Sequence, residues 1–152
     1  MVEDQVARPI KFRAWHMIDR KMYDMHALLF NRVNGEWLWD YVRNTLDVGY
    51  YKTPYLILMQ FIGLLDKNGK EIYEDDIVRI NHPHDWTGDF TNAIGHVFWS
   101  TDAGFAHTNN HGRPPKAMWD YVEVIGNIYE HPDLLPPEAR YRRWKLKEQT
   151  HG

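Results

Sequence analysis

The sequence contains no cysteine, and this absence excludes several kinds of chemistry at once. Without thiols the chain has no disulfide, no thiolate ligand for a metal ion and no cysteine nucleophile. Serine is nearly as scarce, because Ser100 stands alone and lies outside any Gly-x-Ser-x-Gly context. The sequence also has neither a phosphate-binding Walker A loop nor a Gly-x-Gly-x-x-Gly motif. We therefore expect a protein that is not an enzyme and that needs no cofactor.

Long apolar runs are missing as well. No stretch approaches the roughly 20 apolar residues that a membrane-spanning helix needs. The first residues, MVEDQVARPI, do not contain the apolar segment of a secretion signal. We therefore expect a soluble, intracellular protein with no membrane partner.

Aromatic residues, in contrast, are abundant: they make up 14% of the 152 residues and include 7 Trp and 9 Tyr. Large aromatic side chains favour strands over a helical bundle. A chain of this length is expected to form one domain, or one domain with an insertion. The net charge of −3 is unevenly distributed, because Glu138–Glu148 holds five cations and two anions, which leaves −6 on the remainder. A body with that charge would repel phosphate backbones.

Short apolar runs between turn residues predict a mainly β fold. The first strand, residues 10–15, has the period of two typical of a strand that is buried on one face. Trp15 falls on its outer face, together with Lys11 and Arg13. Further strands are predicted at residues 22–30, 37–39, 55–61, 72–73, 77–80, 93–100, 105–108 and 118–125. Residues 40–52 fit an irregular segment and a short helix equally well. The regular spacing of the strands favours a small barrel or sandwich.

The local sequence also predicts a hairpin turn, a short helical or 3₁₀ turn and a C-terminal helix. Asn68-Gly69 indicates a type I′ hairpin turn, in which both central residues have positive φ. Residues 127–135 indicate a short helical or 3₁₀ turn. Beyond Pro136-Pro137 the residues are good helix formers, so residues 137–149 are predicted to form a C-terminal helix.

Three blocks of the sequence resemble the YopX-like family of phage and prophage proteins. They are residues 10–15 (IKFRAW), 59–78 (MQFIGLLDKNGKEIYEDDIV) and 123–135 (EVIGNIYEHPDLL). The chain departs from the family pattern at Asp75, where the family usually has glycine. The resemblance implies a mostly β protein from the bacterial cytoplasm, with an SH3-like β-barrel in its second half. It implies no reaction and provides no catalytic residues.

The predicted organisation therefore has three parts: a β-rich N-terminal part (residues 1–60), an SH3-like barrel (61–135) and a basic C-terminal helical extension (136–152). We expect a phage- or prophage-encoded protein that acts as a protein-interaction module. The resemblance makes self-association into a homo-oligomer one form of that activity.

Aromatic residues beside exposed loops are the first candidates for a binding surface. Trp86 and Trp119 flank such loops, and SH3-like barrels often bind ligands through aromatic grooves. Most of the other aromatic residues are expected to pack in the core or across strands.

The basic C-terminal segment is the second candidate. Arg140, Arg143 and Lys147 share one face of the predicted helix, with Trp144 beside them. Such a helix could bind nucleic acid or dock on another subunit. The alternative is an ordinary solvated terminal helix.

Two polar clusters complete the candidates. His82, His84 and Asp85 lie in one loop and could begin the metal site of a metal-dependent hydrolase. No third ligand occurs at a recognisable spacing, so an exposed polar loop is the alternative. The acidic pair Asp75-Asp76 could act in acid–base chemistry, but acidic residues before a strand more often accept hydrogen bonds from the backbone of a turn.

Overall fold

The computed structural model describes residues 9–25, 27–33, 36–42, 55–83, 91–101, 104–108 and 119–137. Within these ranges the chain forms antiparallel strands and 3₁₀ turns at Trp119–Tyr121 and Pro132–Leu134. The predicted mainly β fold is confirmed, and so is the 3₁₀ turn within residues 127–135. The predicted C-terminal helix falls almost entirely outside the described residues.

The strands are short, and most have the length expected for a small β domain. In chain order they are β1 (Phe12–His16), β2 (Lys21–Met25), β3 (Ala27–Val33), β4 (Glu36–Val42), β5 (Leu56–Leu65), β6 (Glu71–Tyr73), β7 (Asp76–Ile80), β8 (Ala93–Ser100), β9 (Gly104–His107) and β10 (Val122–Asn127). The chain divides into two compact units, Met1–Gly63 and Leu64–Gly152.

In the first unit β1 is a central strand that pairs antiparallel with β2 on one side and β5 on the other. Ala14, Trp15 and His16 are all buried, so both faces of β1 are covered. The expectation that only one face of this strand is buried is therefore wrong, and Trp15 is buried on the second face. A period of two indicates which residues share a face, but it does not show whether a second layer covers that face.

The hairpin of β3 and β4 forms a separate two-stranded sheet, in which Phe30 lies opposite Trp39. The prediction of one continuous strand over residues 22–30 is wrong, because β2 ends at Met25 and β3 pairs with β4. Strand β4 continues to Val42, into the segment for which the sequence left two alternatives open.

In the second unit the strand order is β10-β7-β8-β9, and each neighbouring pair is antiparallel. Strand β7 lies inside this sheet, and Ile77, Val78 and Ile80 are completely buried. The chain after β10 closes over the same core, because Leu135 packs with Ile77 and Ile128. The 3₁₀ turn at Pro132–Leu134 places Leu135 there.

The hairpin between β5 and β6 differs from the predicted type I′ turn. The Asp66 N–H donates to the Lys70 carbonyl at 2.7 Å, and the Gly69 N–H donates to the Asp66 carbonyl at 3.0 Å. Gly69 has a φ of 81°, whereas Asn68 is not among the residues with positive φ. This is a three-residue loop with glycine in the left-handed position, the next most common hairpin after the two-residue turn.

Strand β10 contains an irregularity that depends on a glycine. The register of β10 against β7 shifts between Val124 and Gly126. A Cβ atom at Gly126 would lie 2.8 Å from Nδ1 and 2.9 Å from Cγ of His131. The His131 ring thus lies directly over the Gly126 backbone. Its Nδ1 accepts a hydrogen bond from the Asn127 N–H at 3.3 Å.

We expect Gly126→Ala to lower the free energy of unfolding by about 1–3 kcal/mol, because an overpacked site forces its neighbours to move. Urea denaturation measures the change. Adding His131→Ala removes the two nearest ring atoms, so the double variant should recover part of the loss that Gly126→Ala causes in the single variant. Strictly additive losses would show that the ring does not limit this position.

Candidate functional site

The carboxylate of Asp66 connects the β5–β6 hairpin to the last strand. Its Oδ1 accepts hydrogen bonds from the N–H groups of Asn68 at 2.8 Å and Lys70 at 2.9 Å. Its Oδ2 accepts from the N–H of Val124 at 2.9 Å, 58 positions further along the chain. The Lys67 N–H adds a bond to the Val122 carbonyl at 3.0 Å. The hairpin is thereby fixed along the edge of β10.

These hydrogen bonds control the ionisation of Asp66, whose side chain is buried. Burial alone would raise the pKa of the Asp66 carboxyl. The N–H groups of Val124, Lys70 and Asn68, together with the Lys70 charge, outweigh burial and hold this pKa below its ordinary value. Asp66 is therefore a charged acceptor for three backbone donors, which is a structural role.

The acidic pair Asp75-Asp76 serves a second turn. Asp76 is 1% exposed, and its Oδ2 accepts from the Tyr73 N–H at 2.8 Å. Asp75 has a φ of 63°, in the left-handed region that glycine adopts most readily. Its N–H donates to Val97, its carbonyl accepts from Ile128, and its Oδ2 accepts from the Tyr129 hydroxyl at 2.6 Å.

A third turn follows β10 and is organised by Asn127. Its Oδ1 accepts from the N–H groups of Tyr129 at 3.1 Å and Glu130 at 2.9 Å. Its Nδ2 donates to Glu130 Oε2 at 2.6 Å. The polar residues Asp66, Asp75, Asp76, Asn127 and Tyr129, all from the blocks that resemble the YopX-like family, therefore have identifiable roles in turns.

The candidate metal site is described only at His82. The half-buried His82 ring packs edge-on against Tyr121, with ring centres 4.3 Å apart. His84 and Asp85 lie outside the described residues. In the part of the chain that the structure describes, no three His, Cys, Asp or Glu side chains are grouped to hold a metal ion. A metal site at His82, His84 and Asp85 stays a prediction.

Of the predicted binding residues, only Trp119 is described. It is half-buried and contacts the buried His107 edge-on, with ring centres 4.9 Å apart, so its ring packs against the core. Trp86 lies outside the described residues, and so do the C-terminal residues Arg140, Arg143, Trp144 and Lys147. Binding through any of these residues stays a prediction.

The structure instead reveals an aromatic pair at the end of the β8–β9 hairpin, in which Trp99 is exposed and Phe105 is half-buried. Trp99 lies opposite Phe105, and their rings meet at an interplanar angle of 77° with centres 4.8 Å apart. Trp99 is 57% exposed. We call this pair, Trp99 and Phe105, the aromatic tip.

The aromatic tip continues the core-facing side of its hairpin. Residues two apart on a strand share a face, so Trp99 and Phe105 follow Val97 and His107, which also lie opposite each other. Val97 is completely buried, whereas Trp99 is mostly exposed, so this face extends beyond the core. Gly104, with a φ of 70°, lies beneath the Trp99 ring, since a Cβ there would be 3.8 Å from it. The sequence feature that could have indicated the aromatic tip is the position of Trp99 next to the turn that begins after Ser100.

Comparison with known proteins identifies the family to which this chain belongs. A family model described as "YopX protein" matches residues 11–136, which is most of the chain. The protein therefore belongs to the YopX family, as the resemblance predicted. No curated protein matches the chain.

A solved structure supports the fold. The chain is similar to the crystal structure of protein EF1440 from Enterococcus faecalis, with a TM-score of 0.51 and 21% sequence identity. The match covers 84% of this chain and 99% of that one. At this identity the likeness establishes the fold alone. None of the described segments forms a helix that is long and apolar enough to cross a membrane.

We expect Asp66→Asn to lower the free energy of unfolding by about 3 kcal/mol at pH 7, because an amide cannot accept all three backbone donors and carries no charge. Because the folded-state pKa of Asp66 is lowered, its contribution is present above the unfolded value of 3.8 and is lost as the pH falls below it. The difference between wild type and variant should therefore shrink in acid.

Urea denaturation at pH 7 and pH 3 measures both effects. Asp120→Asn is the matched control, because Asp120 is an exposed carboxylate in the same unit. An equal loss of stability in both variants would contradict the special role of Asp66.

Proposed function

We propose that this YopX-family protein is a non-enzymatic protein-interaction module of phage or prophage origin that acts in the bacterial cytoplasm. Its partner contact is the aromatic tip. Trp99 carries this proposal, because its ring is 57% exposed at the end of an otherwise buried strand face, and tryptophan is enriched in the surfaces that proteins bury against partners.

The geometry of the aromatic tip favours binding. Tryptophan is enriched among the residues that dominate protein interfaces, where it fills a pocket on the partner. The Trp99 ring already rests against Phe105 and over Gly104. An ordered ring loses little conformational freedom on binding, so more of its burial contributes to affinity.

The structural use of the polar residues supports a non-enzymatic role. Asp66, Asp75 and Asp76 are the carboxylates of the turns described above. Asp66 and Asp76 accept hydrogen bonds from backbone N–H groups, and Asp75 accepts one from the Tyr129 hydroxyl. A carboxylate engaged by backbone donors is poorly placed to exchange protons with a substrate.

The second unit is, in this proposal, an SH3-like barrel. Strands β7, β8 and β9 form a meander, a 3₁₀ turn at Trp119–Tyr121 follows, and β10 returns to pair with β7. Small β-barrels of this kind bind ligands more often than they catalyse reactions, although fold alone does not assign a function. A second copy of the chain is among the partners that the aromatic tip could contact, which would make the protein a homo-oligomer.

We expect Trp99→Thr to abolish partner recovery when the tagged protein is used for affinity capture from bacteria carrying the phage or prophage. Threonine keeps the strand propensity while removing the ring. The control is Leu134→Ala, which removes another exposed apolar side chain, 42% exposed, from the same unit. Capture with and without nuclease, followed by mass spectrometry, identifies the partner, and purified components then confirm direct binding.

Each outcome decides the proposal. A nuclease-resistant partner that is lost with Trp99→Thr and kept with Leu134→Ala supports it. Light scattering shows whether that partner is a second copy. Equal capture by wild type and Trp99→Thr contradicts it, and nuclease-sensitive recovery would favour nucleic-acid binding through the basic C-terminal segment.

A further inference from the structure

The turn of the β5–β6 hairpin carries an Asn-Gly pair at the protein surface. Asn68 and Gly69 are both exposed, whereas Asp66, two residues earlier, is buried. A Cβ atom added at Gly69 would have no contact within 4 Å, other than with its chain neighbours, among the residues that the structure describes. The peptide group between Asn68 and Gly69 is therefore open to solvent.

An exposed Asn-Gly pair is able to react without an enzyme. The backbone nitrogen of Gly69 gives up its proton and forms a bond to Cγ of Asn68, and the side-chain nitrogen of Asn68 leaves with that proton as ammonia. The product is a five-membered succinimide ring. Glycine favours this attack because it has no Cβ atom to obstruct its own nitrogen.

Water then opens the succinimide ring at one of two bonds of the Gly69 nitrogen. Cleavage of the bond to Cγ leaves an aspartate at residue 68. Cleavage of the bond to the backbone carbonyl carbon leaves an isoaspartate, in which the main chain runs through the former side chain. Water is the only co-reactant, ammonia is the only leaving group, and no atom is oxidised or reduced.

The closed hairpin withholds the attacking nitrogen. The Gly69 N–H donates to the Asp66 carbonyl at 3.0 Å. The N–H groups of its two neighbours, Asn68 and Lys70, both donate to Oδ1 of Asp66, at 2.8 and 2.9 Å. The Gly69 nitrogen has to give up its own hydrogen bond and move within a turn whose flanking peptide groups are bound. The attack therefore requires the hairpin to open.

We propose that Asn68 is a site of spontaneous deamidation and that Asp66 protects it, so that only molecules whose β5–β6 hairpin has opened are converted. The rate of a reaction that is confined to an open state follows the population of that state when opening and closing are fast. This modification site is separate from the aromatic tip and does not depend on the proposed function.

Conversion to isoaspartate prevents the hairpin from closing as before. The added backbone methylene lies between residue 68 and Lys70, whose N–H groups now share Oδ1 of Asp66. The new carboxylate also stands close to that of Asp66, and like charges repel. The bond from the Val124 N–H to Oδ2 of Asp66 depends on the same hairpin. We therefore expect the Val124 amide to lose protection from hydrogen exchange in the converted form.

The first test follows wild type at mildly alkaline pH, which favours loss of the Gly69 proton, with and without enough urea to unfold the protein. Peptide mass spectrometry after digestion in acid detects the change from amide to carboxylate at residue 68, and the retention time distinguishes isoaspartate. We expect conversion to be about 100-fold faster in the unfolded chain. Asn92 is the internal reference, because it is exposed but is followed by alanine.

A pair of variants tests the role of Asp66. Asp66→Ala removes the acceptor without adding another amide, and we expect conversion at residue 68 of the folded variant to be at least about tenfold faster than in wild type. Asp120→Ala is the matched control, because it removes an exposed carboxylate from the same unit. It should keep the rate of wild type.

Three results would overturn the inference. Conversion of Asn68 in the unfolded chain no faster than that of Asn92 would mean that residue 68 is not a preferred site. Equal rates in folded and unfolded wild type would mean that the hairpin gives no protection, and equal rates in folded Asp66→Ala and wild type would mean that Asp66 does not provide it. The first two readouts use wild type alone, so they hold even if Asp66→Ala fails to fold. None needs a partner, so failure here is distinct from failure of the proposed function.

Discussion

The second unit depends most on one carboxylate that accepts three backbone N–H groups. Asp66 bonds to two donors within its own hairpin and to Val124 on the last strand, so a local turn and a long-range contact share one charge. Hydrogen bonds to an ionised acceptor are among the stronger ones in proteins. Because the hairpin lies along the edge of β10, Asp66 and the Lys67 N–H also bind the Val124 N–H and the Val122 carbonyl, which an exposed strand edge would leave open for aggregation.

The other turns of this unit are also stabilised by polar side chains that accept hydrogen bonds. Asp76 and Asn127 each satisfy backbone N–H groups that could not find partners within a regular strand, and Asp75 accepts the Tyr129 hydroxyl. These polar side chains are therefore committed to folding. In the proposed function, recognition falls to the aromatic tip, since the β8–β9 hairpin extends the core-facing side of the sheet into solvent.

The sequence predicted the mainly β class, most strand positions and the family, because these depend on local patterns. It predicted the wrong turn at Asn68-Gly69, because the turn type was decided by the Asp66 side chain and not by the dipeptide itself. It expected only one face of β1 to be buried, because a period of two does not show whether a second layer covers the face that holds Trp15. Trp99 was passed over in favour of Trp86 and Trp119 for the same reason: exposure depends on where the core ends.

The Tyr129–Asp75 hydrogen bond links two positions that are far apart in the sequence. A non-glycine residue with a φ of 63° has a strained backbone, and the strain must be offset by a favourable contact. At Asp75 that contact is the hydrogen bond that its carboxylate accepts from the Tyr129 hydroxyl at 2.6 Å. A relative with glycine in place of Asp75 adopts this backbone without strain and has no use for the hydroxyl. The two positions should therefore vary together across the family, with phenylalanine tolerated in place of Tyr129 where glycine is present and tyrosine retained where aspartate is.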